Sequence, residues 1–345
     1  MVMKSAVAVG VAVLSLGAQV GLRASPLKAV SEVYVAAATV ISGNGGAGSR
    51  VNCFSVPSLR PAEHGGTVTA LSADGRVMTD SAATWADHQF NDANGPYYVV
   101  FESGPWRDIT DTSAADHALG LAGSVGVVSV GEQYRIRRHW TVGGVFGPGN
   151  ETGLYPGLNC AEADGVLLHD AATQRTWSVF YCSASGSEGW QYCDYRLAGA
   201  QVIPPAQGIM VQRKVPGDVV CYTSGVAGAL SGQAPPPDVI IQPGYNLVGT
   251  LRAAEPVALP ELGLYTGDPA TGVAGGSNPS EADNVIVVSA DGSVVRYFYL
   301  TLPGHQGWYD AKYNPADAVL VEPGAAFFVQ RKGGRQAFSW QVPAE

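Results

Sequence analysis

Two carboxylates one residue apart occur twice in this sequence, at Glu162 and Asp164 and again at Glu281 and Asp283. On a strand, side chains two positions apart leave the same face. Either pair could therefore hold Ca²⁺ from a loop or supply the acid and base of glycoside hydrolysis. The plainer reading is a strand entry at which Asp164 and Asp283 hydrogen-bond nearby backbone. The sequence favours it, because each pair precedes a similar apolar run and two active sites in one chain are uncommon. Aromatic residues form a second constellation: Trp190, Tyr195, Trp308 and Tyr313 surround matching loops and are the candidate ligand contacts, since a flat aromatic face can stack on a sugar ring. The same rings are ordinary filling for a β-sandwich core, and for Trp190 and Trp308 the flanking strands favour packing.

The five cysteines, Cys53, Cys160, Cys182, Cys193 and Cys221, lack the paired spacing of a zinc knuckle. Cys182 and Cys193 flank a segment with Gly186 and Gly189 that reads as a hairpin connection, so a cross-strand disulfide between them is the first expectation. Cys160 with Cys221 is the second, leaving Cys53 unpaired; five free buried thiols is the remaining alternative. The six histidines stand at spacings that place no two on one strand face. No HExxH, GxSxG, P-loop or helix-opening GxGxxG is present, so neither catalytic residues nor a cofactor or metal is expected. The basic ends Gln212-Arg213-Lys214 and Gln330-Arg331-Lys332 read as solvated strand ends that discourage edge pairing.

The elements that must position these residues are short. Runs such as 66–71, 97–102, 125–130, 133–138, 177–182, 208–213, 294–300 and 325–331 are β-branched or aromatic and bounded by turn residues, among them Asp74-Gly75, Asn94-Gly95 and Asp291-Gly292. The expected fold is all-β: an N-terminal small β-barrel or β-meander domain followed by two duplicated β-sandwich-like domains. One helical candidate remains, residues 259–265, with Pro260 at its start. The duplication rests on residues 189–214, which align without a gap on 307–332 with ten of 26 positions identical, and on Glu162-Ala163-Asp164 matching Glu281-Ala282-Asp283. Upstream, His139 to Gly143 is aligned with Gly244 to Gly249. The expected division is a signal peptide at 1–24, a Gly/Ser-rich lead-in at 25–49, an N-terminal β-domain at 50–132, repeats at 133–230 and 238–345, and a Pro-rich linker at 231–237.

Composition agrees. With 44 Gly and 22 Pro in 345 residues, long helices are disfavoured, and 46% hydrophobic residues suffice for a core. A net charge of −9 argues against nucleic acid or an anionic membrane as partner. The charged start followed by the apolar run 5–16 reads as an export signal, and no later stretch is apolar for long enough to span a bilayer.

The run from Phe54 to Ala62, then Gly66-Thr67-Val68-Thr69-Ala70, Tyr97-Tyr98-Val99, Glu102-Ser103-Gly104 and Asp108-Ile109-Thr110, resembles an uncharacterised family of secreted proteins that occurs as multiple paralogues in Verrucomicrobia. His139-Trp140-Thr141-Val142 and the ending from Pro323 to Arg331 are similar to it too. The resemblance spans nearly all the mature chain and implies export and a β-rich architecture; the cysteines depart from its pattern. Together these readings anticipate a secreted, periplasmic or cell-surface protein with a structural or adhesive role. A module or enzyme accessory that binds extracellular polysaccharide is the alternative, and polysaccharide or other envelope proteins are the expected partners.

Overall fold

The computed structural model describes residues 34–343 except 47, 92–95, 228–237 and 290–291. The signal peptide, the Pro-rich linker and the Asn94-Gly95 turn lie outside the described residues. The regular structure is almost wholly strand, because short β-branched and aromatic runs are cut by glycines at positive φ, such as Gly75 and Gly304, before a helix could propagate. The expected helix at 259–265 is a single 3₁₀ turn, Leu259–Leu262, closed by Gly263 at φ 65°.

In chain order, β1 (Tyr34–Ile41) and β2 (Arg50–Ser55) come first. Seven strands come after them: β3 (Ala62–Thr67), β4 (Ala70–Leu71), β5 (Val77–Thr79), β6 (Tyr97–Phe101), β7 (Trp106–Ser113), β8 (Ala118–Leu121) and β9 (Gln133–Arg138). Next are β10 (Trp140–Thr141), helix α1 (Val142–Phe146), β11 (Gly165–Asp170), β12 (Arg175–Cys182), β13 (Gly189–Tyr192), β14 (Val202–Ile203), β15 (Gly208–Arg213) and β16 (Val219–Val226). The remainder is β17 (Asp238–Ile241), β18 (Gly244–Gly249), β19 (Val257–Ala258), β20 (Asn284–Val288), β21 (Val294–Leu300), β22 (Gly307–Asp310), β23 (Leu320–Val321), β24 (Ala326–Arg331) and β25 (Phe338–Gln341).

Two five-stranded antiparallel sheets organise the molecule. One has the order β13-β12-β11-β15-β2, and the other β22-β21-β20-β24-β18. Two-stranded ladders flank each: β1 with β16 and β10 with β14 beside the first, β17 with β25 and β19 with β23 beside the second. Registers correspond residue for residue. Gly208 faces Ser55 and Arg213 faces Arg50, while Ala326 faces Gly249 and Arg331 faces Gly244. Asn52 clamps the β1–β2 connection by accepting from the Ser42 N–H and donating to the Ser42 carbonyl, both at 3.0 Å. Asn246 does the same to Gln242, at 2.7 and 2.8 Å.

These pairings correct the expected boundaries. The counterpart of Gly244–Gly249 is Arg50–Ser55, and the counterpart of Val257–Ala258 is Trp140–Thr141, so aligning His139 to Gly143 with Gly244 to Gly249 was out of place. The lead-in at 25–49 contains β1, β2 belongs with the first five-stranded sheet rather than with residues 50–132, and β9 belongs to the N-terminal sheet rather than to 133–230. Segment 62–138 is thus inserted between β2 and β10 of the first unit (β1, β2 and β10–β16). A contiguous alignment cannot register a strand separated from its own sheet by a whole folded segment.

The inserted segment forms a seven-stranded sheet of order β3-β9-β6-β7-β8-β5-β4. Neither expected form describes it fully: β6-β7-β8 is a meander, but β9 lies between β3 and β6, and among the described residues no ladder closes the sheet into a barrel. It is rolled instead, because its two end strands are consecutive in sequence. Val68, between them, donates to the Glu132 carbonyl at 2.9 Å, and Thr69 to the Thr79 carbonyl at 2.8 Å. Its core includes Met78, Val99, Phe101, Leu119 and Ile136, all fully buried. Trp190 and Phe146 pack in the core of the first unit, and Trp308 and Trp340 in that of the second (β17–β25).

The two units meet reciprocally. Ser55 donates its N–H to the Gly324 carbonyl at 2.8 Å, and Gly249, its counterpart, donates to the Ala206 carbonyl at 2.9 Å. Gly249 lies so close that a Cβ there would stand 2.0 Å from Ser55 Oγ. Such mutual use of the same surface is the pattern of a twofold interface, here within one chain.

Candidate functional site

The four aromatic candidates separate by burial. Trp190 is 3% exposed and Trp308 2%, so neither offers a face to a ligand, and the expectation that they contact one is corrected. Trp190 packs on Phe146 and Tyr181 and donates Nε1–H to the Gly147 carbonyl at 2.7 Å, which satisfies the one polar group a buried indole brings. Tyr195 and Tyr313 are exposed, 57% and 47%. Each sits at positive φ and meets one phenylalanine edge-on, Phe180 and Phe298 respectively. They lie on different units and are not gathered into one site.

The disulfide joins Cys160 to Cys193, with Cα atoms 5.4 Å apart. This corrects both expected pairings, Cys182 with Cys193 and Cys160 with Cys221. The β12–β13 register explains the first: Cys182 faces Gly189 and Val179 faces Tyr192, so Cys193 has run four positions past Cys182 and lies beside Ser178. Cys53, Cys182 and Cys221 are free, and burial pushes the thiols of Cys53 and Cys221 up to about 11.

The repeated carboxylates are structural. Asp164 is fully buried and accepts from Arg213 Nη1, the Tyr155 N–H and the Lys214 N–H, each at 2.7 Å. Asp283 accepts from the Ala274 and Lys332 N–H groups at 2.9 and 2.7 Å and pairs with Arg331 and Arg335. Glu162 and Glu281 stay outside, each accepting from its own turn. Arg213 and Arg331, read from sequence as solvated strand ends, are instead 2% and 1% exposed. Among the described residues, no group of three or more His, Cys, Asp or Glu could hold a metal ion, and no helix is long and apolar enough to cross a membrane.

A cleft of about 800 Å³ opens where the inserted sheet and both units meet. Its walls are β7, the β11–β12 hairpin, the β14–β15 connection and the β17–β18 segment. Trp177, 38% exposed, stands on the β12 wall with the Arg175 guanidinium 5.5 Å from its ring centre. Trp106 stands on the β7 wall, its ring against Tyr98 and its Nε1–H donated to the Asp238 carbonyl at 2.9 Å. That bond ties the inserted sheet to the second unit. Asp108 lies one turn of the pleat from Trp106, its carboxylate 56% exposed and anchored through one oxygen by buried His139 at 2.7 Å. Across from it, the Asp170 carboxyl is held below its usual range chiefly by the Thr173 hydroxyl, against burial, with the Ala172 N–H assisting. Gln207, also on the cleft wall, donates Nε2–H to the His169 carbonyl at 3.0 Å. The arrangement offers two indole surfaces, three aspartates (Asp108, Asp170 and Asp238) and an amide along an open groove, which suits a ligand that is both flat-faced and rich in hydroxyls.

Sequence reasoning passed over this site because it weighed where the two units agree. Three of the polar or aromatic cleft residues are places where they differ: in the same alignment Trp177 stands opposite Val295, Asp170 opposite Ser289 and Gln207 opposite Ala325. Departures between matching segments were the signal that could have found it. In comparisons with known proteins the chain matches no family, no curated protein and no solved structure.

Proposed function

We propose that this is an exported adhesive protein without catalytic machinery, built on two copies of one β-unit, whose cleft holds a saccharide chain. The observation that carries the reading is the cleft itself: Trp106 and Trp177 with Asp108 and Asp170 at the junction of three packed bodies. Aromatic faces contribute stacking and carboxylates accept from hydroxyls, the two interactions a pyranose presents. The absence of catalysis is inferred from how the repeated polar groups are used, since Asp164, Asp283, Arg213 and Arg331 are committed to holding strands. Export is supported by the N-terminal sequence, by the resemblance to secreted proteins and by a disulfide, which persists in oxidising compartments. The test is co-sedimentation with insoluble polysaccharides alongside a reducing-end assay. Retention on a polysaccharide with no release of reducing ends is expected; turnover of any glycan would overturn the non-catalytic reading, and absence of retention would overturn the adhesive one.

A further inference from the structure

We infer that the cleft selects sugar chains bearing no negative charge and that Asp108 sets this selectivity, an inference that rests on the saccharide reading above. Three carboxylates, Asp108, Asp170 and Asp238, line the cleft, against one cation, Arg107. That cation is partly engaged by its own framework: Arg107 donates Nε–H to the Ser124 carbonyl at 2.8 Å and Nη1–H to the Trp106 carbonyl at 2.6 Å. Arg175 lies over the Trp177 ring. An incoming uronate or sulfate would meet three aspartates against one guanidinium that already donates twice to backbone carbonyls, and like charge in a partly desolvated groove is strongly disfavoured.

The carboxylates suit hydroxyls well. An ionised carboxylate only accepts hydrogen bonds, and sugar hydroxyls donate. Asp108 is fixed by buried His139, 2% exposed, which binds one carboxylate oxygen through Nε2 at 2.7 Å while the carboxylate as a whole stays 56% exposed. Asp170 is fixed by Ala172 and Thr173 in the turn after β11. Charge-assisted bonds to a preorganised acceptor are stronger than neutral ones, so losing Asp108 should matter more than losing Gln207.

The experiment is affinity electrophoresis of the full chain through gels containing neutral soluble polysaccharides (hydroxyethyl cellulose, galactomannan, laminarin) or polyanionic ones (alginate, polygalacturonate). Wild type is expected to be retarded by at least one neutral polymer, insensitively to salt, and by neither polyanion. Trp177→Ala and Asp108→Ala should weaken that retardation at least tenfold. Asp108→Asn, which keeps an acceptor and the contact with His139, should weaken it less and keep the fold should Asp108→Ala fail to. Retardation by a polyanion that is lost in Trp177→Ala would overturn the charge selectivity while leaving the saccharide site standing. Neutral retardation unchanged by every cleft substitution, or no retardation of wild type in any gel, would overturn both.

Discussion

Asp164 shows what a buried charge does in this protein. With three donors on one carboxylate, it joins β11, β15 and the loop before β11, and it neutralises Arg213 out of contact with water. Removing one partner of such a pair leaves the other charged and buried, at a cost of about 3–5 kcal/mol. Asp164→Ala should therefore lower urea-unfolding stability by that order while leaving polysaccharide retention unchanged. Trp190→Ala should behave alike, with about 3–5 kcal/mol lost to a core cavity; loss of retention without loss of stability would return Trp190 to a ligand role. Sequence allowed the bland reading of Asp164 and of Trp190, since strand-entry aspartates and sandwich-core tryptophans have local signatures. It did not allow Arg213 to be recognised as buried, because its partner is 49 residues away and nothing beside Arg213 distinguishes a paired guanidinium from a solvated one.

Strands were legible one at a time and their partners less so. Turn chemistry and β-branched runs located β6, β9, β12, β15, β21 and β24 within a residue or two, but pairing is a property of two segments. The Cys182 to Cys193 expectation failed on this point, being right about the hairpin and wrong about its register by four positions. Asn52 and Asn246 carry the deeper lesson, because the same residue does the same work in β2 and β18 although their neighbours share little. Asn246 also donates to the Val329 carbonyl at 3.1 Å and is 1% exposed, whereas Asn52 is part-exposed. Leaving buried backbone groups unpaired costs about 1–3 kcal/mol each, so Asn246→Ala should destabilise more than Asn52→Ala in thermal unfolding. Equal effects, or the reverse order, would mean that the third bond and deeper burial of Asn246 add nothing to its clamp.

At the scale of the whole molecule, a near-symmetric pair is made unsymmetric by the connection that leaves its second strand. After β18 the chain takes a short connection to β19, whereas after β2 it builds an entire rolled sheet before returning at β10. That sheet leans on the second unit through Trp106 and the Asp238 carbonyl, and the cleft is the space left between the three bodies. No property of a single segment predicts such a space, which is why composition and motif reading reached the fold class but not the site. The most direct test is amide hydrogen exchange on the full chain with and without a neutral oligosaccharide from whichever polymer retards it. The account predicts added protection in residues 106–108, 168–177 and 238–242. Protection confined to the surroundings of Tyr195 and Tyr313, with those three segments unchanged, would contradict it.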